Sequence, residues 1–415
     1  MKIEMYSFGI GDRFGLQGKA QLAAIKEANK KGVLLVPVWN KSNREHKTIG
    51  TNPKSVRTEA NEAINDMGWT GNHYVDADHI NLDTVNEFLD YSDFFTLDVA
   101  DFIGKKASDI DIEKFIKQNE KYIGILKIDG IDETFTVNKE DLYKIGENFL
   151  FAIQQASAIY QHIVKNKGAE NFITEVSMDE VDTPQTPLEL FFILSALAQE
   201  NIPAQTIAPK FSGRFNKGVD YVGDINAFEK EFEQDLLVIQ KAIHEFGLPD
   251  NLKLSVHSGS DKFSIYPIMG KLIKKYNKGI HVKTAGTTWL EEVIGLSMAG
   301  GKALEMAKEI YSKAYARQEE LCGPYASVID IDPKNLPSPK EVDSWDSIKF
   351  SNTLRHIPEH PDYNLNFRQL IHVGYKVAAE LGESYTNMLL EHKEIVARQV
   401  TENIYDRHIK RLFDL

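Results

Sequence analysis

Two short segments place histidines where they could do chemistry. One is His73-Tyr74-Val75-Asp76-Ala77-Asp78-His79, a strand-like run that ends in an acid and an imidazole. The other is Leu252-Lys253-Leu254-Ser255-Val256-His257-Ser258-Gly259-Ser260, in which an imidazole is followed by small polar residues. If both runs are buried strands, each imidazole emerges at a carboxyl end, where α/β proteins assemble their sites. His79 and His257 brought together there, with Asp78 beside one of them, can hold a divalent metal and keep an acid or base at hand. Helix capping is the competing role for Asp78 and His79. It accounts for one polar residue better than for the whole acidic run. For His257 the competing role is a loop with capping serines, and the glycine beside it allows close backbone approach.

Other charged residues fall at further strand ends. Glu175 points inward if its strand alternates, and a buried carboxylate needs a cation or a donor. The loop Asp179-Glu180-Val181-Asp182 can supply Glu180 or Asp182 as a mobile acid or base, or can cap the next helix. Asp220 and Asp224 are each readable as an oxygen ligand or as the cap of a following helix. Lys262, Lys283 and Arg214 are candidates to meet an anionic substrate group. Lys283 precedes Thr284-Ala285-Gly286, a turn that can cradle an anion at a helix start. His281 begins its strand and reads as packing. His356 and His360, in a proline-flanked segment, fit a substrate lid or a rigid turn equally. Gly9-Ile10-Gly11-Asp12-Arg13-Phe14-Gly15 lacks the spacing of a dinucleotide fingerprint.

The elements that must position these residues alternate regularly. Strand runs at 5–9, 33–39, 73–78, 94–99, 172–177, 204–208, 252–256 and 280–283 are separated by helical patterns near 17–30, 55–66, 82–89, 147–165, 187–200, 225–246, 264–276 and 288–298. Continuous apolar strands between helices predict a parallel sheet covered on both faces. Eight such units predict an α/β fold of the (β/α)8 TIM-barrel type, with a doubly wound open sheet as the alternative. Residues 1–300 are assigned to the catalytic barrel, with an insertion after strand four at about 105–144 that contains a hairpin. Residues 301–415 are assigned to a helical C-terminal extension packed on the barrel, with two or three helices within 366–413.

The composition narrows the class of partner. Hydrophobic residues make up 42% and charged residues 26% of the chain, as expected of a globular protein with a large core. A net charge of −13 disfavours nucleic acid and anionic membranes. It leaves an acidic small molecule open, since a pocket can be locally basic. Cys322 is the only cysteine, the N-terminus lacks a signal-peptide pattern and no run is long enough to span a membrane. A cytoplasmic protein is expected, and its oligomeric state is open.

Short motifs resemble the class II, metal-dependent sugar-phosphate aldolases: Asp78-His79, His257 with its Ser-Gly-Ser sequence, and Glu175 with the acidic loop 179–182. Those aldolases also take a ligand histidine from the sixth strand. Here Lys210 stands in that region, and Asp224 is the substitute. Longer motifs resemble the tagaturonate/fructuronate epimerase family. They are Ser7 to Phe14, Val75 to His79, Phe95 to Ile103, Lys217 to Tyr221, His257 to Phe263 and His281 to Thr287. This second resemblance spans most of the chain. It implies a divalent-metal epimerase of hexuronate catabolism acting on an acidic keto-sugar, with zinc, manganese, nickel, cobalt or iron all suitable.

Chemistry joins the two resemblances. Tagaturonate and fructuronate are 5-keto-hexonates that differ at carbon 3, which is β to the ketone. A proton on that carbon is not acidified by the carbonyl, but its hydroxyl is the β-hydroxyl of an aldol. Retro-aldol cleavage, rotation of the aldehyde and re-addition would invert the centre. On this reading His79, His257 and Asp224 bind the metal. Asp78 is one acid/base, with Glu180 or Asp182 the other. Lys262, Lys283 and Arg214 are candidates for the substrate carboxylate. Alternatives are an aldolase that releases the fragments, a metal-dependent sugar isomerase, or a non-catalytic sugar sensor.

Overall fold

A parallel sheet of eight strands closes on itself in the computed structural model, which describes residues 1–258, 260–284 and 286–415. The first four strands are β1 (Tyr6–Ile10), β2 (Leu35–Ser42), β3 (Tyr74–Ile80) and β4 (Phe94–Asp98). A separate antiparallel hairpin follows, β5 (Gly124–Leu126) with β6 (Phe135–Val137). The barrel then continues through β7 (Ile173–Ser177), β8 (Thr206–Ala208), β9 (Lys253–His257) and β10 (Ile280–Lys283), which pairs back onto β1. The closed barrel predicted from the strand–helix alternation is therefore the observed fold, and the open sheet is excluded.

Alternation along the strands sorts the barrel interior into layers. Tyr74, Phe94, Ile173, Val36 and Val38 pack with Ile3 in an apolar cluster. His281 lies against Phe94 with ring centroids 5.3 Å apart and shares a hydrogen bond of 2.9 Å with Ser7. This is the packing role read for it. Two residues further along their strands, Asp76, Thr96, Glu175 and Lys283 meet in a polar layer. Two residues further again stand Asp78, Asp98, Ser177 and, on β9, His257. The interior thus changes from apolar to ionic toward the carboxyl ends of the strands.

Helix boundaries follow local chemistry. Helix Pro187–Gln199 opens with Thr186 and Glu189 in a reciprocal capping box and with proline in its first turn. Helix Lys139–Lys167 has the same device in Asn138 and Asp141. The helix expected near 82–89 is only a 3-10 turn, Val85–Glu87. The Asn81 side chain accepts from the backbone N–H groups of Asp83 and Thr84, turning the chain at once toward β4. The inserted segment holds a helix, Asp109–Asn119, besides the expected hairpin. Gly146 admits it, because a Cβ there would stand 3.2 Å from Phe115 and 3.3 Å from Ile112.

Within 366–413 the chain forms more helices than the two or three expected, from Leu365–Val373 to Lys410–Phe413, and others from Gly301–Ala316 onward precede them. They are joined to the barrel by one continuous apolar cluster. Gly295 allows helix Lys393–Glu402 to approach so closely that a Cβ would lie 2.8 Å from the Val396 Cα. A polar hub anchors the same region. Asp261, fully buried, accepts from Arg368 at 2.9 Å and pairs with His408 at 2.9 Å and His356 at 3.2 Å. Burial opposes its charge, but Arg368 together with the two histidines holds the carboxyl well below the usual range. His356 is therefore part of this structural hub. Among the described residues no helix is long and apolar enough to cross a membrane.

Candidate active site

The ionic end of the barrel opens into a cavity of about 270 Å³. Asp78, His79, Asp98, Asp179, Glu180, His257 and Lys283 line one part of it. The two histidines singled out by the sequence come together, their ring centroids 5.2 Å apart and nearly perpendicular.

A local irregularity aims His79. The register between β3 and β4 shifts between Ala77 and Ile80, and His79 takes a left-handed φ of 52°. A non-glycine residue in that conformation costs about 1–2 kcal/mol. Such bulges beside sites re-aim a side chain. Here the ring faces Asp98 through Nδ1 at 3.4 Å and Asp78 through Nε2 at 3.8 Å.

His257 is held between two carboxylates. Its Nε2 is 3.0 Å from Glu175 and its Nδ1 3.1 Å from Asp179. Glu175 is fully satisfied, accepting also from Thr206 at 2.7 Å, Lys283 at 2.9 Å and Thr96 at 3.1 Å. It therefore orients the ring from behind, as a carboxylate behind a metal-ligating histidine does. Lys283 serves three acids at once, Asp76 at 2.7 Å, Asp78 at 2.9 Å and Glu175 at 2.9 Å.

These contacts set the charges. Burial raises Asp76 to about 7, with Lys283 opposing. Burial also works against ionised Asp78, but Lys283 and His79 prevail and lower it to about 2. Burial disfavours charge on both imidazoles, yet Asp78 and the neighbouring carboxylates raise His79 to about 10. Asp179 with Glu175 likewise raises His257 to about 9, against burial and the opposing Lys283 charge. The mouth has more ionised carboxylates than Lys283 can neutralise. Either protons on the imidazoles or a divalent cation can balance that excess. Ligand atoms of His79, Asp179 and His257 lie within 4.8 Å of one another, as do those of His79, Asp98 and Glu180. Imidazole nitrogen with carboxylate oxygen is a donor set that suits a first-row divalent metal.

Other sequence candidates are placed differently. Asp224 is exposed and caps helix Ile225–Phe246, accepting from Asn226 at 2.8 Å and Ala227 at 3.2 Å, so it does not complete the cluster. Asp179 occupies that place. Asp182 is exposed and outside the cavity lining, whereas Glu180 lines it. Arg214 pairs with Asp330 at 3.2 Å on the surface. Lys262 is completely buried beneath the mouth, donating to the carbonyls of Asn216 at 2.9 Å and Val219 at 2.7 Å. Lys283 reaches the cavity, but its three partners make it a counter-ion. The close approach expected at Gly259 lies outside the described residues, as does Ala285 of the proposed anion-binding turn.

The sequence reading missed Arg44, Tyr325 and His372, which also line the cavity. Arg44 follows β2 directly and was discoverable from its place at a strand end. Tyr325 and His372 come from the C-terminal region, and no local pattern marks them.

A closed barrel with imidazoles and carboxylates gathered at the carboxyl ends of its strands defines a barrel enzyme. The family model for tagaturonate epimerase, UxaE, matches residues 1–412, and the chain belongs to that family of carbohydrate epimerases. The tagaturonate/fructuronate epimerase of Thermotoga maritima is 30% identical over 429 residues, covering 99% of this chain and 80% of that protein. The fold is shared with the fructuronate-tagaturonate epimerase UxaE of Cohnella laeviribosi. Its one-glycerol complex superposes with a TM-score of 0.80 at 24% identity, covering 99% of this chain and 82% of the other. Its native crystal structure gives 0.79 at 22% identity, with coverage of 99% and 82%.

Proposed function

We propose that this enzyme interconverts D-tagaturonate and D-fructuronate by breaking and remaking the bond between carbons 3 and 4. The family match over residues 1–412 carries the substrate assignment. The paired imidazoles with Asp179 support the mechanism. The substrate would be a small acidic keto-sugar, and the unpaired Cys322 suits a reducing cytoplasm.

His79, Asp179 and His257 would hold a divalent metal, with Glu175 fixing the ring of His257. Bound there, the metal would supply Lewis-acid stabilisation of the negative charge that develops on the ketone oxygen. The protein's own groups handle the proton. A carboxylate accepts the proton of the carbon-3 hydroxyl, and the electron pair of the carbon 3–4 bond moves toward the ketone. This leaves a three-carbon enediolate and a three-carbon aldehyde acid. The aldehyde turns its other face, the bond re-forms, and the proton returns to the new alkoxide. No atom or electron is gained or lost. Ionised Asp78, steadied by Lys283, serves the hydroxyl on one side, and Glu180 at the rim serves it on the other.

The test is conversion of tagaturonate in deuterium oxide, followed by NMR, with a labelled three-carbon aldehyde acid added. Formation of fructuronate with its carbon-3 hydrogen retained and with label incorporated is expected. Obligatory deuterium at carbon 3 would overturn the retro-aldol route. Release of fragments without fructuronate would favour an aldolase.

A further inference from the structure

We propose that the corner of the cavity built by Arg13, Asn40, Arg44, Lys217 and His372 is the subsite for the substrate carboxylate. The inference rests on the epimerase reading above and names what that reading leaves open. The three sequence candidates for this task, Lys262, Lys283 and Arg214, are all committed elsewhere.

Three residues of the corner are buried and carry polar atoms without partners, while Lys217 is half-buried and Arg44 exposed at its rim. Arg13 is 8% exposed, and neither its Nε nor its Nη1 has a hydrogen-bond partner. Its Nε is 3.2 Å from Glu45 but without hydrogen-bond geometry, and its guanidinium lies 4.3 Å over the ring of Tyr375. Asn40 is 2% exposed with both amide atoms unpartnered. His372 is 1% exposed with Nδ1 unpartnered. All three residues line the cavity. Buried polar groups are otherwise nearly always paired, and orphans facing one space point to a ligand.

Charge adds direction. Burial, and then the nearby cations Arg13 and Lys217, push His372 well below its ordinary range, so it stays neutral among them. Arg44 lies 5.2 Å over the ring of Tyr325, whose hydroxyl is 3.1 Å from that of Tyr375. Two joined tyrosines thus carry two guanidinium groups, one each. Among the described residues neither Arg44 nor Lys217 is in an ion pair. Glu180 and Glu45 are the acids whose charges act on Arg44, and Glu45 also faces Arg13, so two acids stand against the three cations. The carboxylate-rich half of the cavity would repel the acid end of a hexuronate. The basic corner would accept it and present the ketone end to the histidines.

The test compares the metal-loaded wild-type enzyme with Arg44→Gln and Lys217→Met. Both variants spare the more deeply buried Arg13 and Asn40. Kinetics are measured on tagaturonate and on tagatose, the neutral ketohexose with CH2OH in place of the carboxylate. Each variant is expected to lower the acid-over-neutral ratio of kcat/KM by roughly tenfold to a hundredfold, the range of one charge-assisted hydrogen bond, with KM rising more than kcat falls. An unchanged ratio overturns the proposal. A phosphorylated ketohexose preferred over the acid through the same residues also overturns it.

A second readout does not depend on turnover. Galactonate, an unreactive hexonate, should raise the wild-type Tm where galactitol does not, and Arg44→Gln should abolish the difference. If galactonate behaves this way but tagaturonate is not epimerised, the activity assignment fails and the subsite stands. If tagaturonate is epimerised but the variants discriminate as wild type does, the subsite fails and the activity stands.

Discussion

His257, the last residue of β9, and Asp261, on the loop that follows it, belong to two different kinds of buried charge. Around Asp261 every charge is answered. One carboxylate is matched by Arg368 and by the hydrogen bonds of His356 and His408, and these groups are closed off from solvent. Around His257 the accounts are uneven. Asp78, Asp98, Glu175 and Asp179 outnumber Lys283, the imidazoles are pushed toward protonation, and the cluster opens on a cavity. The same residue types make a rivet in one place and a reactive surface in the other. What separates them is whether the charges are matched within the fold or need something brought from outside.

His257→Ala strikes the open cluster and should have the largest effect. Epimerisation should fall by roughly a thousandfold. Bound metal should be lost with it, while the fold persists because Glu175 keeps Lys283, Thr96 and Thr206. Kinetics with elemental analysis read both, and a fully active, metal-replete variant would sink the role. Asp261→Asn strikes the closed cluster and should do the reverse. It leaves Arg368 buried without its counter-charge, a loss of about 3–5 kcal/mol in chemical denaturation, while the folded fraction keeps its kcat.

The closed hub also predicts an acid limb. Burial lowers His356 and His408, so the neutral forms are the stable ones in the fold. Groups whose pKa is depressed contribute stability above the unfolded value and lose it as pH falls. The decline should therefore begin near pH 6.5 for the histidines, and the carboxyl of Asp261 should extend it below about pH 4. In Asp261→Asn the part of the limb below about pH 4 should disappear while the histidine part persists, because without the carboxylate burial alone acts on His356 and His408; an unaltered limb below about pH 4 would refute the assignment.

The barrel was legible because its strands are continuous apolar runs and its interior follows a strict two-residue alternation. His79 and His257 were legible because they fall where such runs end. Asp224 was misplaced because an acid at a helix start has the same local pattern whether it caps or coordinates, and only the chain's path tells which. Lys262 and His356 were ambiguous for a related reason. Their partners lie on the loops after β8 and after β9, far along the chain in the case of His356, and pairings that distant leave no trace in local spacing. The basic corner is the extreme case, since its cations come from the loops after β1 and β8 and from helix Asn43–Ile49 after β2, and its histidine from helix Leu365–Val373.

Metal affinity should report the uneven charge of the open cluster. His79 is raised to about 10 and His257 to about 9, so at neutral pH a metal must displace protons from both. Because both values are raised, the protonated forms persist until pH passes them, and affinity should climb as pH rises. Roughly tenfold per pH unit for each displaced proton is expected between pH 6 and 8. Competition titration with a chelating indicator measures this, and a flat profile would place the metal elsewhere.

Lys262→Met is the smallest and most discriminating change. Lys262 follows Asp261 of the closed hub in the chain, but its hydrogen bonds go to the segment that borders the cavity. It is fully buried, and burial lowers it to about 7, so much of it is uncharged at neutral pH. Its hydrogen bonds to Asn216 and Val219 fix the segment that carries Lys217 toward the cavity. Methionine matches its length but leaves those carbonyls without their donor, a loss of about 1–3 kcal/mol. If the division between the clusters is right, stability falls by that amount, and, because the loosened segment carries Lys217, KM rises for the acid more than for the neutral sugar but by less than in Lys217→Met. A rise for the acid as large as that of Lys217→Met would move Lys262 to the substrate side and redraw the boundary between the two regions.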